Sequence, residues 1–145
     1  MQFLFKDRIT DMRDFAIKQG EFIISTTGNI SSGNDFLASQ YGMILYNSTC
    51  MCLQTIGETL KQIDNLTNRQ FLHIKYPAVP WRNIFALRNI ISHEYASTDP
   101  EEIFNIIHSD QPPLICTIGD ILTDINANMH DGLFMSIQQQ HTPTQ

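Results

Sequence analysis

Apolar residues recur at intervals of three and four along the first part of the chain. Phe5, Ile9, Met12, Phe15 and Ala16 follow this spacing, which is typical of one face of an amphipathic helix. It predicts a first helix over residues 1–24. The next stretch, STTGNISSGND, is rich in Ser, Thr, Gly and Asn and has no apolar period, so it predicts a loop.

The helical period then returns and continues for many turns. It is carried by Met43, Tyr46, Cys50, Leu53, Ile56, Leu60 and Ile63. We therefore predict a long second helix over residues 36–63. No segment of the chain shows the alternating pattern of a β-strand.

Prolines divide the second half of the chain. The two prolines of YPAVPW exclude a continuous helix there, and Pro80 suits the first turn of a third helix that continues through Ile91. Asp99 and Pro100 predict a helix restart, as cap and first helical residue, and SDQPP predicts another before Leu114.

Helices of unequal length with short connections predict an all-α fold, an antiparallel helical bundle. The chain has 145 residues, which fits one domain. We assign residues 1–130 to the bundle and residues 131–145, which end in SIQQQHTPTQ, to a low-complexity C-terminal tail.

No apolar run approaches the roughly 20 residues that span a bilayer, and charged residues enter the N-terminus too early for a signal peptide. The sequence thus predicts a soluble, cytoplasmic protein. The three cysteines are an odd number, which disfavours a disulfide framework. The CMC at Cys50 and Cys52 could hold half a metal site, but no second pair completes it, so we expect buried thiols.

The net charge of −6 conceals an uneven distribution. Residues 1–88 hold all nine Lys and Arg against seven acids, whereas residues 89–145 hold eight acids and no Lys or Arg. An anionic partner is therefore expected to approach the first part of the chain, with Arg88 at the boundary. The acidic part could equally be an ordinary solvated surface.

The stretch RNIISHEY places Arg88, His93 and Tyr95 within eight residues. A histidine transfers protons near neutral pH, and an arginine binds phosphate oxygens in a forked geometry. Together they are a minimal set for metal-free RNA cleavage, in which the 2′-hydroxyl of the substrate is the nucleophile.

Helical geometry alone does not bring these residues together. Positions five apart differ by about 140° around an ideal helix, so Arg88 and His93 do not share a face. Either the arginine side chain reaches around, or the helix loosens, or a second chain completes the site. A helix C-terminus also attracts Arg and His without any catalytic role, and the residues by themselves favour that simpler interpretation.

Further motifs in the sequence favour the catalytic interpretation. The spacing of Arg88, His93 and Tyr95 resembles the R-x4-H-x-Y motif of the HepT-like toxins of the HEPN superfamily. The resemblance extends to IGE at residues 56–58, YPAVPW at 76–81, RN at 88–89 and HEY at 93–95, in the family's order and spacing. It covers roughly residues 7–124.

This resemblance implies a HEPN homodimer in which two R-x4-H motifs face each other across one cleft, with no metal or cofactor. It implies that Arg88 stabilises the scissile RNA phosphate and that His93 transfers protons, while Asn89 orients the motif. Tyr95 would be the AMP acceptor for an MntA-like nucleotidyltransferase antitoxin, whose modification switches the toxin off. Arg69, Lys75 and Arg82 are the other basic residues near the motif.

A different class of function fits the same fold and partner. The chain could be a non-catalytic HEPN module that docks a nucleotidyltransferase, with the acidic second half as its docking surface. Loss of toxicity on replacing His93 would support only the nuclease.

Overall fold

The structure is a computed structural model that describes the backbone of residues 2–94 and 99–141. Within these ranges the chain forms eight α-helices and one π-helical segment. Side chains are described for these residues except 2–4, 87, 90, 92–94, 110 and 140–141. The helices are α1 Gln2–Thr26, α2 Gly33–Leu37, α3 Gln40–Leu66, α4 Leu72–Lys75, α5 Trp81–Glu94, α6 Pro100–Asn105, α7 Gln111–Asn126 and α8 Asp131–His141. The all-α class is confirmed, since no strand occurs among these residues.

The core lies where α1 and α5 pack on α3 and where α7 packs on α1. Two long-range hydrogen bonds join α1 to α7: Arg13 Nε donates to the carbonyl of Ile118 at 2.9 Å, and Gln111 Nε2 donates to the carbonyl of Gly20 at 2.7 Å. Because the lower-numbered residue of α1 meets the higher-numbered residue of α7, these two helices run antiparallel.

The predicted second helix begins later than its apolar period suggested. Residues 33–37 form the separate helix α2, and α3 starts at Gln40 after the cap Ser39, whose side chain accepts from the backbone N–H of Gly42 at 3.0 Å. A Cβ on Gly42 would lie 2.5 Å from the carbonyl oxygen of Asp35. The corner between α2 and α3 therefore needs glycine at this position, and the start predicted at residue 36 was wrong.

The two later restarts differ in outcome. At the first, the side chain of Asp99 accepts from Glu101 N–H at 3.0 Å and Pro100 opens α6, as predicted. At SDQPP the chain does not leave the helix, because a π-helical segment at Ile106–Asp110 joins α6 directly to α7. Pro112 and Pro113 lack the N–H groups that would bond to the carbonyls four residues earlier, which accounts for the wider turn there.

The segment assigned to a C-terminal tail is helical as far as residue 141. In α8, Phe134 and Ile137 are buried, and the ring of Phe134 meets that of Phe5 edge to face with centroids 5.8 Å apart. Lys6 and Asp131 form an ion pair at 2.9 Å across the same contact. This part of residues 131–145 therefore packs on α1, while the domain boundary at residue 130 stays a prediction.

A partly buried hydrogen-bond network ties the YPAVPW segment to the start of α8. The Tyr76 hydroxyl lies 2.7 Å from Asp124 Oδ2 and 2.9 Å from His130 Nε2. A carboxylate only accepts, so Tyr76 donates to Asp124 and receives a hydrogen bond from His130 Nε2–H. The other ring nitrogen, Nδ1, is buried without a partner among the described atoms, so the fold holds His130 neutral.

Acidification should destabilise the fold through His130. Burial lowers its pKa in the folded protein and Lys75 adds to this, while Asp124 and Asp131 oppose it. The imidazole of His130 in the unfolded chain has a pKa of about 6.5. The contribution of neutral His130 to the free energy of unfolding is therefore complete above that pH and is lost as the pH falls toward the lower pKa of the folded protein.

His130→Gln should therefore flatten the loss of melting temperature between about pH 7.5 and pH 5.5. His108 is exposed and gives the matched control, His108→Gln, which should lose melting temperature as the parent does. A His130 variant with the slope of the parent would contradict this assignment.

Candidate active site

The start of α5 is fixed by the segment before it. Trp81 is 2% exposed, and its indole N–H donates to the backbone carbonyl of Tyr76 at 2.8 Å. The backbone N–H groups of Asn83 and Ile84 bond to the carbonyl of Pro80, which closes the first turn. The hydrogen bonds of Tyr76 to Asp124 and His130 thus hold, through Trp81, the helix that carries Arg88.

The inner side of α5 packs against α3. Ile84 and Ile91 are buried, and the ring of Phe85 stacks near Trp81 with centroids 6.1 Å apart. Lys61 of α3 lies over the Phe85 ring, 5.0 Å from its centroid. These contacts set the rotation of α5 about its own axis, and with it the direction in which each later residue leaves the helix.

Arg88 is exposed although its position on the helix is an inward one. It follows Trp81 by seven residues, which returns it to within about 20° of the same azimuth. Ile84 before it and Ile91 after it are buried, so the Arg88 side chain reaches solvent from the inner side of α5 and not from beyond the end of the core. Asn89, next in the chain, is also exposed.

The structure describes only the backbone position of His93. It lies one residue before the end of α5, and α-helical geometry continues through Glu94, which removes the possibility of a helix loosened between Arg88 and His93. The two positions are thus about 140° apart and about 7.5 Å apart along the axis. Asn89 lies four residues before His93 and shares its face. Tyr95 lies outside the described residues.

Glu58 of the IGE motif lies in the wall of a groove between α1 and α3. The groove has a volume of about 400 Å³ and is lined by Asp11, Met12, Phe15, Thr55, Glu58, Thr59 and Gln62. Gly57, the residue that precedes Glu58, is buried. The groove is acidic rather than basic, so it does not suit an RNA phosphate.

The outer surface of α3 is unusual for an exposed helix. Residues 40–57 contain no charged side chain, and Tyr41, Ile44 and Met51 are 71%, 66% and 63% exposed. Phe15 and Phe22 on α1 are each about half exposed. We call these five side chains the uncharged face. Exposed apolar surface of this kind is typical of regions that contact another macromolecule.

The thiols lack the features of a reactive or metal-binding site. Burial raises the pKa of Cys50 to about 11 and also raises the pKa of Cys52, while Cys116 is exposed on α7. Among the described side chains, no three His, Cys, Asp or Glu are grouped to hold a metal ion. In the same part of the chain, no helix is both long and apolar enough to cross a membrane.

His130 is the residue that sequence reasoning missed. Its partners Asp124 and Tyr76 are six and 54 residues away in the chain, and no short motif links all three. It supports the site from a distance and does not reach it.

Comparison with known proteins agrees with the resemblance in the sequence. A family model described as "Ribonuclease HepT-like" matches residues 7–121. "Putative RNase MJ1380" of Methanocaldococcus jannaschii is 32% identical over 81 residues, which are 56% of this chain and 67% of that protein. "Putative RNase MJ0127" of the same organism is 34% identical over 73 residues, 50% of this chain and 56% of that protein. No solved structure matches the chain.

Proposed function

We propose that this chain, which belongs to the HepT-like ribonuclease family, is a metal-independent endoribonuclease and the toxin of a toxin–antitoxin pair. The observation that carries the proposal is Arg88, which is exposed although it lies on the inner side of α5, a helix fixed by Trp81. Such a side chain gains nothing from burial or packing. It is available to bind a phosphate.

The chemistry assigned to the motif needs no metal. His93 would take the proton from a ribose 2′-hydroxyl or return one to the leaving oxygen, while Arg88 stabilises the charge that develops on the phosphate. Asn89 shares the face of His93 and could orient it or the substrate. Arg88 lies about 140° around the helix from His93, so its side chain would have to reach around the helix to bind the same phosphate.

A homodimer would resolve this mismatch, because Arg88 of one copy could act beside His93 of the other. The uncharged face supports such an assembly. It lies on α1 and α3, and α3 also packs against α5, so the proposed dimer contact and the motif-bearing helix adjoin the same helix. Residues 40–57 carry no charge, so this part of α3 in two copies would meet without electrostatic repulsion.

Met51→Glu should break the dimer. It would place a charge within an apolar interface, where an unpaired carboxylate weakens the free energy of association by on the order of several kcal/mol. Met129→Glu is the matched control, since Met129 is equally exposed, at 65%, in the turn between α7 and α8. Sedimentation should show monomers for the first variant and dimers for the second. A dimeric Met51→Glu protein would exclude this face.

Arg88→Gln should reduce RNA cleavage by about a hundredfold or more, the usual effect of removing a group that stabilises transition-state charge. The exposed position means that the melting temperature should stay close to that of the parent. Arg88→Lys keeps the charge but loses the fork, so it should recover only part of the activity. Parent-like cleavage by Arg88→Gln, with the fold intact, would instead favour the non-catalytic docking module.

Tyr95 is proposed as the site at which the nucleotidyltransferase antitoxin attaches AMP. The added phosphodiester would place a tethered anion two residues from His93, where it would compete with RNA for Arg88 at high effective concentration. Neutralisation would then be covalent.

Tyr95→Phe should keep cleavage and toxicity but lose neutralisation by modification. Coexpression with an active nucleotidyltransferase is the test, with growth and intact mass as readouts. His73→Phe is a control replacement of an exposed ring that should remain neutralised. Full recovery of cells that express Tyr95→Phe, together with persistent mass shifts of AMP, would place the modification on another residue.

A further inference from the structure

Four positions of α5 form one stripe along the helix that ends at His93. Arg82, Ala86, Asn89 and His93 follow one another at intervals of four, three and four residues, which keeps them within about 40° of a common azimuth. Arg82 and Asn89 are exposed, so the described part of this stripe faces outward. Arg88 does not belong to it, since it follows the inward azimuth of Trp81.

Arg82 occupies a place where a cation is not favoured by the fold. It is the second residue of α5, at the positive end of the helix dipole, and no acid occurs in the first turn. None of the ion pairs between described side chains involves it. Its aromatic neighbour in the chain, Trp81, points into the core and cannot stack beneath it. A bound anion would relieve this unfavourable placement.

The surrounding sequence is basic although the protein is acidic. Residues 59–93 contain five Lys or Arg and one acid. That acid, Asp64, is buried and has His73 Nε2 at 3.7 Å. This part of the chain therefore has a net positive charge that suits a polyanion, and Arg82 and Arg88 are the two arginines that it places on α5.

We propose that Arg82 binds a backbone phosphate of the RNA a few nucleotides from the scissile bond, so that the strand runs along the outer face of α5. This inference rests on the proposed function for its substrate class. Arg82 lies about 16 Å along the axis from His93, since each residue advances the helix by about 1.5 Å. A dinucleotide is too short to bridge these positions, whereas an oligonucleotide of ten or so residues is long enough.

Substrate length provides the test. With a ten-residue RNA that contains one cleavable linkage near its centre, Arg82→Gln should raise KM about tenfold and leave kcat unchanged, as loss of one charge-assisted contact predicts. With a dinucleotide, the variant and the parent should be indistinguishable. Arg82→Lys should restore most of the affinity, because a flanking phosphate needs charge more than the fork.

Arg8→Gln is the matched control, an exposed arginine on α1 that changes the net charge by the same amount. Its KM for the long RNA should equal that of the parent. The dependence of log affinity on log salt should become shallower by about 0.7 for Arg82→Gln and should not change for Arg8→Gln. Equal KM values for the parent and Arg82→Gln on the long RNA would overturn the proposal, as would a defect of equal size on the dinucleotide.

Binding of the same long RNA, measured by fluorescence anisotropy, separates this inference from the proposed function. If the parent binds the RNA but does not cleave it, the nuclease assignment fails. The affinities of Arg82→Gln and Arg8→Gln for this RNA still decide the role of Arg82. If the parent does not bind RNA, both proposals fail.

Discussion

Burial of Trp81 is the constraint on which the placement of the motif depends. The indole is almost completely enclosed and hydrogen-bonded to the carbonyl of Tyr76, and losing a tryptophan from such a site costs about 3–5 kcal/mol. A helix is rigid about its axis, so fixing one side chain inward fixes the direction of all that follow. Arg88 then returns to the inner azimuth but is exposed between the buried Ile84 and Ile91, and the exposed Asn89 lies on the outer side.

The anchor of Trp81 is itself held from the opposite end of the chain. Tyr76 donates to Asp124 and accepts from His130, and these residues belong to the end of α7 and the turn before α8. Each partner has only one arrangement of protons that satisfies the network, since the carboxylate cannot donate and the phenol has one hydrogen. Burial and the Asp124 contact raise the pKa of Tyr76, so the phenol keeps that hydrogen. The end of the bundle therefore stabilises a helix whose motif positions, Arg88 and His93, lie further along it.

The features of the fold that depend on residues close together in the chain could be predicted from the sequence. The first helix, the cap at Asp99 and the start of α5 after Pro80 all follow from local spacing and from the properties of proline and aspartate. The break before Gln40 does not, because it depends on how closely α2 approaches Gly42. The role of His130 depends on a contact across 54 residues. The motif residues were identified by resemblance, but the exposure of Arg88 between the buried Ile84 and Ile91 does not follow from periodicity, which places it on the inner side of α5.

An acidic protein can still present a surface for RNA if its charges are separated by more than the distance over which salt screens them. At physiological ionic strength this distance is about 8 Å, so a phosphate on α5 responds chiefly to its nearest side chains. Acids of the second half, such as the exposed Glu101 and Glu102 on α6, contribute little to that site unless they lie near it. For the proposed RNA contact, the direction in which α5 presents Arg82 and Arg88 therefore matters more than the net charge of the chain.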